Sequence, residues 1–169
     1  INISGDRAKS SIKHAVININ KNRPINSEDA SKVVLTCLSK VNIADYELIH
    51  ELTGNYRIDD GEETREPRGL YADKLSVDVL LGVFPSSMYK NLESVVENAR
   101  LEVEDRAFSA YASGLACLVE DERQIGATIV DIGGEVTNIA TFRNGYPVQF
   151  SAIGVGGKYI TNDIAWGLT

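Results

Sequence analysis

Asp131, Gly133, Gly134, Thr137, Gly156 and Gly157 are the residues whose types and spacing could do chemistry. Asp131 lies near the end of the apolar run Ala127 to Ile132, and Gly133-Gly134 then turns the chain. Glycine reaches positive φ and lets backbone N–H groups converge on an anion. A carboxylate beside such a turn can hold Mg²⁺ through water or orient an attacking water, and Thr137 can donate a hydrogen bond. Gly156-Gly157 precedes a helical pattern, where unpaired N–H groups and the helix dipole favour phosphate. A lone Asp-x-Gly-Gly is more often a tight hairpin with a capping carboxylate. Two glycine elements about 25 residues apart, around a hairpin, make phosphate cradling the better reading.

Those residues need elements to hold them. Ala127 to Ile132 has the pattern of a strand buried on both faces. Val136 to Phe142 alternates, Asn144-Gly145 is the strongest short hairpin signal in the chain, and Val148 to Ile153 returns. A helix is predicted from Tyr159 to Gly167, with Ile160, Ile164, Ala165 and Leu168 as its apolar side. Upstream, Ile1 to Ser4 and Ala15 to Ile19 read as short strands. Asn26 or Ser27 caps a helix whose buried face is Ala30, Val33, Val34, Cys37, Leu38 and Val41. Tyr46 to Leu52 is strand-like, and the polar stretch 55–70 reads as turns and an exposed loop. Lys74 to Phe84 is a strand with Leu75, Val77, Val79 and Leu81 on one face. A second helix starts at Pro85-Ser86-Ser87, Leu101 to Val103 is a short strand, and Ser109 to Val119 is a third helix. Strands and helices alternate in an α/β or α+β order.

The chain has 169 residues, 43% of them hydrophobic and 24% charged. That is enough for one domain or two small ones with a buried core, and it excludes wholesale disorder. Apolar runs such as Val79 to Phe84 fall far short of the roughly 20 residues that span a bilayer. No charged-then-apolar segment opens the chain. Cys37 and Cys117 make no disulfide framework and read as core thiols in a reducing, cytosolic compartment. The net charge of −7 is uneven. Residues 1–40 carry 7 basic and 3 acidic groups, residues 41–122 carry 7 and 18, and residues 123–169 carry 3 of each. An acidic chain of this kind argues against nucleic acid as a partner. His14 and His50 have no acid or thiol at ligand spacing, so a histidine metal site is not expected. Asp59-Asp60-Gly61-Glu62-Glu63 lacks the 12-residue ligand order of a Ca²⁺ loop and reads as a solvated loop. Phe142 and Trp166 are expected in the core. Opening on Ile1 and stopping at Thr169, the chain reads as a piece of something longer.

The segment Val130 to Ala140, the hairpin after it, and Gly156-Gly157-Lys158-Tyr159-Ile160-Thr161-Asn162-Asp163-Ile164-Ala165 resemble the second phosphate loop of the actin-like ATPases. Within that superfamily the chain resembles the FtsA family of bacterial cell division. Ala112-Ser113-Gly114-Leu115-Ala116, and Leu118 through Glu122 to Gly126, are similar to the family's entry into subdomain 2A. Ser27 to Val34, Leu48-Ile49-His50, Pro67-Arg68-Gly69-Leu70 and Asn91 to Val103 resemble its inserted subdomain 1C. The resemblance covers nearly the whole chain, in order. It implies an incomplete actin-like (ribonuclease-H-like) ATPase core with an inserted small α+β subdomain. Residues 1–14 would end the first part of 1A, 15–103 would be 1C, 104–122 would return to 1A, and 123–169 would open 2A.

The resemblance also implies a function. Such a protein binds ATP and Mg²⁺, with Asp131 holding the metal through water and Gly133, Gly134, Thr137, Gly156 and Gly157 around the phosphates. It assembles at the septum on the cytoplasmic face of the inner membrane, as a peripheral protein held by a C-terminal helix outside this chain. It helps anchor FtsZ filaments through a region also outside this chain, self-associates into filaments, and recruits later division proteins through 1C. Several residues depart from the family pattern. Glu135 stands where a third glycine is usual, and its carboxylate is expected to repel the β/γ-phosphates. Val136 likewise replaces a usual Thr. Ser109-Ala110 stands where many relatives have Glu-Pro, and a neutral Ser is a poor general base. The expectation is at most a slow ATPase. The alternatives are a scaffold of the same family that has lost nucleotide binding, and a pilus-assembly relative carrying a similar insert.

Overall fold

The computed structural model describes residues 1–59 and 61–168. Asp60 of the acidic stretch and Thr169, the last residue of the 123–169 segment, lie outside the described residues. The elements in chain order are β1 (Asn2–Ile3), β2 (Lys9–Asn18), α1 (Ser27–Leu38), β3 (Tyr46–Ile58), β4 (Glu62–Thr64), β5 (Lys74–Pro85), α2 (Ser86–Asn98), β6 (Ala107–Phe108), α3 (Ser109–Cys117), α4 (Glu120–Ile125), β7 (Ala127–Ile132), β8 (Thr137–Arg143), β9 (Tyr146–Ile153) and α5 (Gly157–Gly167). They form a two-stranded sheet β1-β6, a four-stranded sheet β2-β5-β3-β4, and a three-stranded sheet β7-β8-β9. The chain divides into two compact units. One is residues 1–10, 45–50 and 82–169; the other is residues 11–44 and 51–81.

The 11–44/51–81 unit is built around β5, where Ser76 and Leu80 are buried along with the apolar positions on the other face. Leu75, Val77 and Val79 are fully buried, as are Val33 and Cys37 of α1. The Cys37 thiol contacts the Lys13 and Val77 carbonyls, and burial pushes its pKa up. The helix starts where the sequence placed it. The Asn26 side chain accepts from the Asp29 N–H at 2.9 Å, and the Asp29 carboxylate accepts from the Asn26 N–H at 3.0 Å, a capping box. Arg23 grips the same carboxylate with both guanidinium nitrogens, at 2.5 and 2.9 Å. That hydrogen-bonded cation holds the Asp29 carboxyl down at about 2.

The polar stretch after residue 55 is more ordered than its composition predicts. β3 continues to Ile58, and Glu62 and Glu63 form part of β4, paired antiparallel with Ile58 and Arg57. Arg57 binds Glu63 at 3.2 Å and Asp78 at 2.8 Å, so a cross-strand cation compensates the acidic run. Asp59 adopts a positive φ of 50° and accepts from the Asp73 and Lys74 N–H groups at 2.8 Å each. Those long-range bonds tie Asp59 to the residues at the start of β5.

In the other unit, α3 lies on β7 and β8. The approach requires glycine: a Cβ on Gly114 would stand 2.5 Å from the Phe142 ring. Phe142 is buried, as expected. His50 is buried among Phe108, Tyr111 and Phe150, with ring centroids 4.7–5.5 Å away. Its Nε2 accepts from the Phe108 N–H at 3.0 Å, and burial lowers its pKa. The Asn144-Gly145 turn has φ of 55° and 82°, the left-handed pair that a two-residue hairpin demands.

Four expectations are corrected in this unit. Leu101 to Val103 forms no strand; the short strand is β6, which pairs parallel with β1 through Asn2↔Ala107 and Ile3↔Phe108. The β7 run is not covered on both faces, because Val130 and Ile132 are exposed. Cys117 is exposed, not a core thiol. Trp166 is 85% exposed rather than in the core.

Candidate functional site

Five of the six residues singled out in the sequence meet at one clasp, and the sixth flanks it. β7 delivers Asp131 opposite Asn138 of β8, and the strands part at the pair Ile132↔Thr137. Between them Gly133 and Gly134 turn the chain, closed by the Gly133 N–H donating to the Val136 carbonyl at 2.9 Å. The Thr137 hydroxyl donates to the Val155 carbonyl at 2.7 Å, fastening the turn to the segment that leads into α5. The Gly157 N–H then donates to the Gly133 carbonyl at 2.9 Å, and the Lys158 N–H to the Gly134 carbonyl at 2.8 Å. Gly156 sits so close that a Cβ there would lie 2.6 Å from the carbonyl oxygens of Gly133 and Gly134. Its φ is −148°, so glycine is required here by space and not by torsion.

This geometry changes how the first turn of α5 is used. Two amides expected to face an anion instead satisfy the carbonyls of the glycine turn. The surface left for an anion is the tip of the turn. Gly134 and Glu135 are exposed there, and a Cβ on Gly134 would meet nothing within 4 Å. That open approach to backbone fits a phosphate. Asp131, half-buried at the strand end, is a carboxylate that fits a hydrated Mg²⁺. Beside the turn lies an open cleft of about 510 Å³, lined by Asp6, Glu135, Val136, Gly154, Lys158, Tyr159 and Asn162.

Asp6, Lys158, Tyr159 and Asn162 line this cleft in addition to the six residues whose types pointed to phosphate chemistry. Asp6 follows β1, and that segment is tied to the loop by the Asn138 amide donating to the Ser4 hydroxyl at 2.7 Å. The Ser4-Gly5-Asp6 step after a strand was the available signal, as was a lysine directly after Gly156-Gly157. Glu135 is not an isolated negative charge. Its carboxylate pairs with the Lys158 ammonium at 2.5 Å. The ammonium holds the Glu135 carboxyl below its usual range, and the carboxylate raises the Lys158 pKa. Ser109 is buried, and its hydroxyl donates to the Ile3 carbonyl at 3.3 Å. Ser109 therefore serves as a link between α3 and β1, with no carboxylate at that position. Among the described residues no group of three His, Cys, Asp or Glu side chains converges as a metal cluster.

A search of solved structures finds a likeness to the PilM–PilN type IV pilus biogenesis complex. The TM-score is 0.54 at 14% identity, over 94% of this chain and 44% of that one. The mixed α/β arrangement and this likeness define an actin-like fold. The model described as "SHS2 domain inserted in FTSA" matches residues 5–82, and the model described as "Cell division protein FtsA" matches residues 128–169. The chain is 35% identical over its full length to the cell division protein FtsA of Agrobacterium fabrum, covering 38% of that protein. It is 33% identical over 99% of its length to the FtsA of Pseudomonas aeruginosa, covering 40% of it. The chain belongs to the FtsA family. It spans about two fifths of the length of these relatives.

Proposed function

We propose that this chain is the nucleotide-cradling and insert-bearing part of an FtsA-like division protein, with Asp131, Gly133, Gly134, Thr137, Gly156 and Gly157 framing the phosphates of Mg²⁺-ATP. The observation that carries the reading is the clasp in which Gly156 and Gly157 close on Gly133 and Gly134, leaving the turn tip open to an anion. When bound, Mg²⁺ would neutralise phosphate charge beside Asp131. The turn would present its backbone to the phosphates, and the Thr137–Val155 bond would keep the two glycine elements in register. Residues 15–103 would form 1C, between 1A segments at 1–14 and 104–122, with 2A starting at 123. The family relationship supports a role at the division septum, on the cytoplasmic face of the membrane. There the protein would help hold FtsZ filaments, self-associate, and recruit later division proteins through 1C. Its membrane helix and FtsZ surface would lie outside these residues.

Ser109 carries the expectation of slow hydrolysis, because its hydroxyl is committed to Ile3 and is no base. Nucleotide would then act as a structural switch more than as fuel. The scaffold reading is favoured by one observation, the placement of the Glu135 carboxylate at the turn tip. Labelled ATP with Mg²⁺, offered to the full-length protein, separates the two readings. Retention by wild type and its loss in Asp131→Ala is the expected result. A wild type and a Glu135→Gln variant that both fail to retain ATP would establish the scaffold. A fluorescent fusion that never gathers at midcell would remove the division role.

A further inference from the structure

We infer that Glu135 is a resident counter-anion for Lys158, and that Lys158 is a phosphate-binding cation which a bound nucleotide must draw away from it. The inference rests on the nucleotide reading above and names a control built into that site. Neither residue's role follows from the glycine pattern.

Four observations converge. Glu135 and Lys158 both line the cleft beside the glycine turn, and their side chains meet at 2.5 Å between the turn tip and the first turn of α5. Both side chains are well exposed, so the pair is exchangeable: surface ion pairs are weakly held and screened by salt. The root of Lys158 is fixed, because its own N–H donates to the Gly134 carbonyl. An ammonium anchored there stays over the turn whichever anion it serves. Finally, α5 has no side-chain cap at its N-cap position, Gly156, and no acid in its first turn. Glu135, reaching from the neighbouring loop, supplies the negative charge that the helix start favours. A phosphate at the turn tip would fill the same electrostatic vacancy and take the same cation.

The charges in the cleft show why the exchange matters. Asp6 and Glu135 are negative and Lys158 is the sole cation among its lining residues. A polyphosphate entering with Lys158 still engaged meets two carboxylates. Once the ammonium turns to the phosphate, Glu135 is released outward and one attraction replaces another. Glu135 thus lowers anion affinity in two ways: it occupies the cation and it repels the ligand.

The test is a double-mutant cycle on the full-length protein, with Mg²⁺-ADP and inorganic tripolyphosphate as probes at low salt. Glu135→Gln should tighten both by about two- to fivefold, the range spanned by an exposed ion pair. Lys158→Gln should weaken both by a similar factor, and Lys158→Arg should restore binding. The diagnostic result is coupling. Lys158→Gln should cost more in the Glu135→Gln background, where the ammonium is already free, than in wild type. A wild type that fails to bind while Glu135→Gln binds would also support the inference. Equal binding by wild type and both single variants overturns it and leaves the nucleotide reading standing. No binding by any of them, with melting curves unchanged, overturns both.

Discussion

Helices α1 and α5 have similar apolar patterns and opposite surroundings. In α1, Val33 and Cys37 are fully buried, and Asn26, Asp29 and Arg23 close the N-terminus with side chains. In α5, Ile160 and Ile164 are exposed, Gly156 offers no side-chain cap, and the first amides are spent on the Gly133 and Gly134 carbonyls. The first helix is held by packing and a local cap, which together specify its position whatever happens elsewhere. The second is held at its start by the loop it closes. A helix anchored in that way follows its loop, so a ligand that moves the glycine turn also moves α5. Under the nucleotide reading proposed above, a well-packed α1 together with a loop-held α5 would suit a switch.

The largest expected effect tests the rigid side. Leu75 is fully buried in β5. Leu75→Ala should cost about 2–5 kcal/mol, as deletion of a buried leucine side chain does. Denaturant unfolding monitored by a probe in the 11–44/51–81 unit measures it. An effect below about 0.5 kcal/mol, the level of an ordinary surface change, would mean that this core is not close-packed and would erase the contrast.

The next effect tests the compliant side. Gly156→Ala places a methyl 2.6 Å from two carbonyl oxygens, and backbone atoms cannot yield as a flexible side chain would. Overpacking of this kind costs about 1–3 kcal/mol. The expected outcome is loss of nucleotide retention together with faster hydrogen exchange at Gly157 and Lys158, while amides of α1 keep their protection. Equal loss of protection in α1 would show that the two regions are not separately stabilised.

The same contrast explains what could be read from the residues. Wherever a local rule decides the structure, the reading is right: the Asn26 cap, the Asn144-Gly145 turn, and the β5 strand with Leu75, Val77, Val79 and Leu81 buried. The errors fall where burial depends on what packs from far along the chain. An unbroken apolar run such as Ala127 to Ile132 looks the same whether one face or both are covered, and here Val130 and Ile132 are exposed. Trp166 and Cys117 fail for the same reason, since helical spacing identifies a face but not its cover. β6 has only two residues and therefore no period; its pairing with β1 spans the length of the chain before it. β4 was hidden by its acids, which are tolerated because Arg57 faces Glu63 across the strands. At the site, Glu135 was legible as a misplaced charge but Lys158 was not legible as its partner. The pairing exists only after Gly156 and Gly157 fold back on the turn.

The smallest effect concerns the cap that makes α1 independent of its neighbours. Asp29→Ala removes the capping-box carboxylate and the anion that Arg23 grips, so about 1 kcal/mol of stability should be lost. Its pH dependence has a definite sign. The Asp29 carboxyl titrates at about 2 in the folded chain, against 3.8 for an unperturbed group. Between those values the unfolded chain binds the proton and the folded chain does not, so folding stability falls as the pH falls. The contribution is fully present above the unfolded value and is lost as the pH drops through about 2. Asp29→Asn keeps an acceptor for the Asn26 N–H but cannot titrate. Acid unfolding followed from pH 5 downward should therefore be shallower in Asp29→Asn than in wild type, with the difference confined to that window. Identical acid profiles would mean that Arg23 does not hold this carboxylate in solution, and that packing alone, not the cap, sets α1 apart from α5.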